Sequence, residues 1–377
     1  MIVRKPAGIC WFFYFSATFL DEQVREVYNN VDYVYIHIME EGYTMENKTI
    51  VLDTLGSDNG SEYFVKGIAA ALEKHKDLSI IVTGKEEELR KHMKTYGCDE
   101  SRIEVIHAEE EITCHDAPVD AIRRKKQSSL VLALQCVKEG RAQACISGGS
   151  TGAVLAGGQF IVGRAKGVKR TPLAPLLPHM TGSSLLIDCG ANVDAKPENL
   201  VQYAKMGSIY MKNVVGIKNP RVGIINIGAE DEKGNDLVKT AFPLLKECPD
   251  INFIGSVESR EIPNGVADVL VCDAFTGNVL LKFYEGVGKM FLAEIKNTLK
   301  SSLKTKIGGA LIYKPLKKTF KKYMADDKGG APMLGLKGLV VKIHGNSKDT
   351  EVSSAIDQCY GFIKKDVSGQ IVRAFEE

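Results

Sequence analysis

Five glycine-rich segments carry the residue types that can hold a small anion. They are Asp53-Thr-Leu-Gly-Ser-Asp58, Ser147-Gly-Gly-Ser-Thr-Gly152, Asp188-Cys-Gly-Ala-Asn-Val-Asp-Ala-Lys196, Gly228-Ala-Glu-Asp-Glu-Lys-Gly-Asn235 and Asp273-Ala-Phe-Thr-Gly-Asn278. Each follows a short apolar run, and the second and fifth lead into helical patterns. Glycine lets backbone approach an anion closely, and a helix N-terminus adds free N–H groups and positive dipole. Serine, threonine and asparagine supply neutral donors, while Lys196 and Lys233 supply charge. One such loop is ordinary turn chemistry. Five aimed at one crevice, with two lysines among them, favour a phosphate site.

Other chemistries are less well supported. No GxGxxG follows a strand, and Gly288-Lys289 is followed by Met290, so neither a dinucleotide fingerprint nor a P-loop is present. A hydride-transfer reading therefore lacks its main motif. Gly148-Gly-Ser-Thr-Gly152 satisfies GxSxG between a strand and a helix, and Asp273 and His344 follow in the order Ser, Asp, His. That pattern makes a hydrolase triad of Ser150, Asp273 and His344 the competing expectation. Against it, Ser150 reads equally as a phosphate ligand or a helix N-cap. A lone histidine at a strand end is more often structural.

The elements that must position these loops are legible in the apolar pattern. Strands are expected at Thr49–Leu52, Leu78–Val82, Arg102–His107, Ala144–Ser147, Ser184–Asp188, Val222–Ile227, Ile251–Val257, Ala267–Cys272 and Leu339–Ile343. Most are continuously apolar, which suits strands buried on both faces. Helices are expected at Glu62–Lys74, Glu86–Tyr96, Val119–Lys138, Pro197–Lys212, Asp236–Glu247 and Thr350–Val372. The alternation implies an α/β fold with a mostly parallel sheet covered by helices, its ligand crevice beyond the carboxyl ends of the strands. The nine cysteines form no CxxC pair, which is the usage of a reducing cytosol and builds neither a zinc site nor a redox motif. A net charge of +2 implies no nucleic-acid partner.

Two segments stand apart. Residues 1–44 include the apolar stretch Ala7–Leu20, too short to span a membrane comfortably. Glu40-Glu41-Gly42 can be encoded by a purine-rich ribosome-binding sequence, followed by a two-codon spacer before Met45. Residues 1–44 are therefore expected to be an over-extended start or a disordered extension, with one α/β domain over 45–377. Within it, 279–328 reads as a basic helical hairpin. From Lys282 to Lys328 there are twelve lysines and four acids. A break is expected at Gly308-Gly309, with a second helix from near Pro315. Ile307, Ala310, Leu311 and Ile312 then form an apolar tip ringed by cations, suited to an anionic membrane surface or an acidic carrier protein. A dimer interface along the stems is compatible with either. Arg123-Arg-Lys-Lys126 reads as an exposed helical face, or as a basic run that reaches the crevice or an acidic partner.

From about Met45 onward the chain resembles the bacterial phosphate acyltransferases of phospholipid synthesis. The resemblance is carried by LDTLGSDN, RRKKQSS, ISGGSTGA, FIVGRAKGVKRTPLAPLLP, DCGANVDAKPENLVQYAKMGSIY, GAEDEKGN, VCDAFTGNVLLK and GGAPMLGLKGLVVKIHGNS. It implies a three-layer fold similar to phosphotransacetylases and to isocitrate and isopropylmalate dehydrogenases, with a protruding hairpin. It implies transfer of an acyl group from acyl carrier protein to inorganic phosphate, giving an acyl phosphate for glycerol-3-phosphate acylation. It also implies a cytoplasmic homodimer held peripherally at the membrane, a functional link to glycerol-3-phosphate acyltransferase, and no metal or organic cofactor. The family's lysine in the E-D-x-K-G-N loop is Lys233 here. Ser150 stands where the family has asparagine, so no covalent serine is needed. On this resemblance Lys233, with Asn235 and Asp273, is expected to carry the chemistry. Ser147, Gly149, Ser150, Thr151 and Gly152 would cradle phosphate. Asp53, Asn192, Lys196, Glu230, Gly234, Thr276, Gly277, Asn278 and His344 would complete the pocket.

Overall fold

The computed structural model describes residues 48–321 and 329–376. The proposed start at Met45, the segment before it, and the last residues of the hairpin lie outside this range. The chain begins with β1 (Lys48–Asp53), α1 (Ser61–Lys74), β2 (Leu78–Gly84), α2 (Glu86–Thr95), β3 (Ile103–His107), α3 (Pro118–Arg124), α4 (Ser129–Lys138), β4 (Ala144–Ser147) and α5 (Thr151–Gly157). There follow β5 (Leu176–His179), β6 (Gly182–Ile187), α6 (Pro197–Tyr210), β7 (Arg221–Asn226), α7 (Asp236–Lys246), β8 (Asn252–Glu258) and β9 (Val269–Val271). Two long helices, α8 (Ala274–Lys300) and α9 (Leu303–Lys321), lead to β10 (Ala331–Met333), β11 (Leu339–Lys342), α10 (Asp349–Lys364) and α11 (Val367–Phe375).

The α/β, mostly parallel architecture is as expected, with the strands divided between two sheets. One sheet has the order β10-β11-β4-β1-β2-β3 and the other β5-β6-β9-β7-β8. Every pairing is parallel except β10 with β11 and β5 with β6. These two antiparallel strands escaped the sequence reading. Each is a short edge strand containing a proline (Pro332, Pro178), which donates no N–H to a ladder and is tolerated only at an edge. Central strands such as β4 and β9 are buried along their whole length, which explains their unbroken apolar runs. One core cluster joins Ile50 and Leu52 of β1 to Leu185 and Ile187 of β6 and Tyr203 of α6, so the sheets share apolar packing.

Three expected helices break elsewhere than periodicity suggested. The run Val119–Lys138 is two helices, because Gln127 N donates to Glu110 Oε2 at 3.0 Å and Lys125 Nζ reaches Asp116 Oδ2 at 2.9 Å. These contacts pull the chain out of helical geometry, and they tie Lys125 of the basic run into the fold. The C-terminal run breaks at Asp366, whose φ is +46° and whose Oδ1 accepts from Gly369 N at 3.2 Å. The hairpin turns at Ser301-Ser302 and not at Gly308-Gly309. Ser302 N donates to Thr305 Oγ1 at 2.9 Å, and Thr305 N donates to Ser302 Oγ at 3.1 Å. This reciprocal cap starts α9, which then runs through both glycines and Pro315. Ile307, Ala310, Leu311 and Ile312 thus lie within the first half of α9, beyond the turn itself.

Candidate active site

A cleft of ≈ 200 Å³ opens between the two sheets. The first sheet contributes Thr151 after β4 and Lys342, Ile343 and His344 at the end of β11. The second contributes Leu176 of β5 and Cys189 after β6. The first turns of α8 form another wall with Asn278, Leu281, Lys282 and Glu285, and Glu351 of α10 lines the cleft as well. This spacing of three and four residues is one helical face. The opposite face, Thr276, Val279, Leu280 and Phe283, lines a second, larger cavity of ≈ 820 Å³. Gly234, Asn235, Asp273, Arg260 and Ile227 are also part of that second wall. The register of one helix therefore sorts the expected residues into two groups. Thr151, Asn278 and His344 meet in the cleft; Gly234, Asn235, Asp273 and Thr276 meet on the other side.

Several expected ligands are occupied in holding loops. Asp53, at the carboxyl end of β1, is buried; it accepts from Ser147 Oγ at 2.6 Å and from Ser129 Oγ. Ser147 Oγ in turn accepts from Gly149 N at 3.1 Å. Asp53 is thus the anchor of the Ser147–Gly152 loop. Burial pushes its carboxyl up to about 6, although the two serines, Leu55 N–H and Lys342 act in the other direction. Asn192 donates its amide to Asp188 Oδ2 at 2.8 Å and to Thr171 O at 2.9 Å. Asp188 also accepts from the N–H groups of Leu173, Ala191 and Asn192. Asn192 is therefore spent on a buried aspartate that the sequence reading left out of the site.

The second group is set by helix caps. Asp273 is the N-cap of α8, with Oδ1 accepting from Thr276 N at 2.9 Å and Oδ2 from Thr276 Oγ1 at 2.7 Å. Gly277 lets α8 approach the Asp188 carbonyl, since a Cβ there would lie 2.0 Å from that oxygen. Asn235 caps α7 through Val238 N at 2.9 Å. Gly234 turns the chain at φ +111°, and Asn226 Nδ2 donates to Lys233 O at 3.0 Å. The backbone of Lys233 is fixed on both sides while its side chain, like that of Glu230, is exposed. Lys196 is exposed at the start of α6, its N–H donating to Asn199 Oδ1 at 2.9 Å.

The serine triad is not assembled. Asp273 is committed to Thr276 on the far face of α8, and His344 Nε2 faces Glu285 Oε1 at 3.6 Å. Ser150 is the N-cap of α5 without a side-chain cap bond.

The residue that sequence reasoning missed is Lys342. It ends β11 in register with Ser147, and its Nζ donates to Gly148 O at 3.3 Å and to the Ile343 carbonyl. Burial pulls its ammonium down to about 8, while the carboxylates of Asp53 and Asp58 act to raise it. The signal was a single lysine inside the apolar run LVVKI, a strand flanked on both sides in the sheet. Among the described residues no group of acidic, histidine or cysteine side chains is arranged to hold a metal ion.

Comparison with known proteins agrees with this architecture. A family model described as fatty acid synthesis protein matches residues 48–370. The phosphate acyltransferase of Clostridium novyi is 47% identical over 329 residues, covering 87% of this chain and 98% of that protein. The phosphate acyltransferase of Bacillus cytotoxicus is 48% identical over 330 residues, covering 87% of this chain and 98% of that protein. Among solved structures, a phosphotransacetylase from Streptococcus pyogenes superposes with a TM-score of 0.57 at 18% identity, covering 84% of this chain and 94% of that one. The EutD phosphotransacetylase of Staphylococcus aureus gives 0.54 at 19% identity, covering 86% of this chain and 97% of that one. The structural likeness establishes the fold, and the sequence matches establish the family. The chain belongs to the fatty acid synthesis protein family that includes the phosphate acyltransferases, and it is an acyltransferase.

Proposed function

We propose that the protein transfers an acyl group from an acyl-carrier-protein thioester to inorganic phosphate, releasing carrier thiol and an acyl phosphate that feeds glycerol-3-phosphate acylation. The observation that carries this reading is a cleft rich in donors and cations but without an activated acyl acceptor. Thr151, Asn278, Lys282, Lys342 and His344 line it. Burial pushes the Cys189 thiol up to about 12, so at neutral pH it is not a thiolate. Ser147 is fully buried and donates to Asp53, and Ser150 has no base hydrogen-bonded to it among the described residues. Phosphate is then itself the nucleophile. One of its oxygens attacks the thioester carbonyl carbon, the C–S bond breaks, and thiolate leaves without a strong general acid. What the protein supplies is placement of a dianion and stabilisation of the developing oxyanion. Lys233 is proposed for the oxyanion or the phosphate, with Asn235 and Asp273 holding the loops around it. The test is release of free carrier thiol from acyl carrier protein, expected to depend on added phosphate and to yield acyl phosphate one for one. Phosphate-independent release would instead favour hydrolysis.

The α8–α9 hairpin is proposed to touch an anionic membrane surface. No described helix is long and apolar enough to cross a membrane. Leu303 and Leu311 are 75% and 79% exposed, next to Lys304, Lys306 and Lys314. Apolar side chains beside cations suit the headgroup region of anionic bilayers. Replacing Ile307 and Leu311 together by glutamate is expected to abolish co-sedimentation with phosphatidylglycerol vesicles. Unchanged sedimentation would remove the hairpin from this role. Pairing of two chains along the stems remains part of the same proposal.

A further inference from the structure

We propose that Lys342 is the ammonium that receives the phosphate substrate, in the cleft between β4, β11 and the first turns of α8. The inference rests on the reading of phosphate as acyl acceptor and adds the residue that binds it. Lys342 Nζ donates to two neutral acceptors, Gly148 O at 3.3 Å and the Ile343 carbonyl. Among the described residues it forms no ion pair. A mostly buried cation without a directly paired counter-ion is unfavourable unless something else offsets the loss of water. The two acids on the cleft wall do not serve. Glu285 Oε1 faces His344 Nε2 at 3.6 Å, and Glu351 Oε2 accepts from Lys348 N at 2.9 Å.

The surroundings suit a small dianion. Asn278, Lys282 and Thr151 line the same cleft, so further donors are available around one anion. A cleft of ≈ 200 Å³ is ample for one phosphate, given that a single water occupies about 30 Å³. Asp53 and Asp58 act on Lys342 without pairing with it, favouring its charged form. Asp53 also holds Ser147, the register partner of Lys342, so one carboxylate fixes the loop whose Gly148 carbonyl orients the ammonium. Burial keeps the free ammonium close to losing its proton near neutral pH. A bound dianion would add a directly paired counter-charge and hold that proton in place.

The test compares Lys342→Met with wild type in the phosphate-dependent thiol-release assay. The variant keeps the stem length and loses the charge. KM for phosphate is expected to rise roughly 30- to 100-fold, the loss of a charged hydrogen bond. KM for the acyl carrier thioester should stay within about twofold. Because a desolvated ammonium is removed, the variant should melt at or above the wild-type temperature. Added phosphate should raise the Tm of wild type but not of the variant. A phosphate KM within about twofold of wild type overturns the proposal, and so does a lowered Tm with both KM values raised together. Lys342→Gln, polar and shorter, gives the same KM readout should the methionine variant fail to fold. Failure of the underlying reading looks different: wild type itself would then release thiol without phosphate.

Discussion

Replacing Lys233 by alanine is expected to lower kcat for acyl phosphate formation by two to three orders of magnitude, roughly the effect of removing one oxyanion donor. The Tm should be unchanged. The expectation separates chemistry from folding because of where the residue is. Its side chain is exposed, while the fold uses only its backbone: Lys233 O accepts from Asn226 Nδ2 at 3.0 Å and Lys233 N donates to Glu230 O at 3.1 Å. Alanine preserves both bonds, and Gly234 still turns the chain at φ +111°. A large loss of turnover with an unchanged Tm would therefore point to the exposed side chain acting on substrate. The loop borders the larger cavity, whose apolar lining of Ile227, Val279 and Phe283 suits the acyl group more than the phosphate. The loss should accordingly appear in kcat, with KM for phosphate little changed. That pattern is opposite to the one expected for Lys342. Near-normal turnover of Lys233→Ala, measured as acyl phosphate formed per enzyme, would remove Lys233 from the reaction.

Most of the scaffold was legible in the sequence, for a simple reason. Strands such as β4 and β9 are buried on both faces, so they leave unbroken apolar runs, and each of the nine runs overlaps a strand. The loops after those runs then had to lie at the carboxyl edge of a parallel sheet. Edge strands leave no such trace: β5 and β10 are short and interrupted by proline. Helix breaks were misplaced where side chains capture the backbone, as Thr305 does for Ser302. The Ser-x-x-Thr spacing there was a readable signal that glycine pairs overshadowed. The grouping of the site was not readable at all. Thr276 and Asn278, two residues apart on α8, face opposite sides of the helix; which cavity each side meets is fixed by the Asp273 cap and the close approach at Gly277. Asn192 looked like a free donor because its partners Asp188 and Thr171 are only brought together by folding. Lys342 drew no notice as one residue inside the expected strand Leu339–Ile343. Its meaning lies in the loop after β4 and in α8, which cover it from distant parts of the chain.

The pH dependence of stability should expose what Asp53 does. Its folded carboxyl titrates at about 6 against an ordinary value of 3.8, because burial disfavours the charged form. Between those values the folded state binds more protons than the unfolded state, so this group's contribution to stability falls as pH rises through the window. A shift of this size corresponds to about 2–3 kcal/mol, lost progressively between pH 4 and pH 6. Asp53→Asn carries no titrating carboxyl and should not show this loss. The stability of wild type minus that of the variant, measured by denaturant unfolding, should therefore shrink by about 2 kcal/mol from pH 4.5 to pH 7. Parallel curves for the two proteins would mean that Asp53 is not held in a desolvated site. At neutral pH the ionised Asp53 is thus a carboxylate that folding alone does not favour. It accepts hydrogen bonds from Ser129 and Ser147, and its charge favours the ammonium of Lys342. The variant should accordingly bind phosphate more weakly, with a raised KM, even at a pH where its stability equals or exceeds that of wild type. A buried charge retained at the expense of stability is the pattern expected where an electrostatic site has been organised in advance of its ligand.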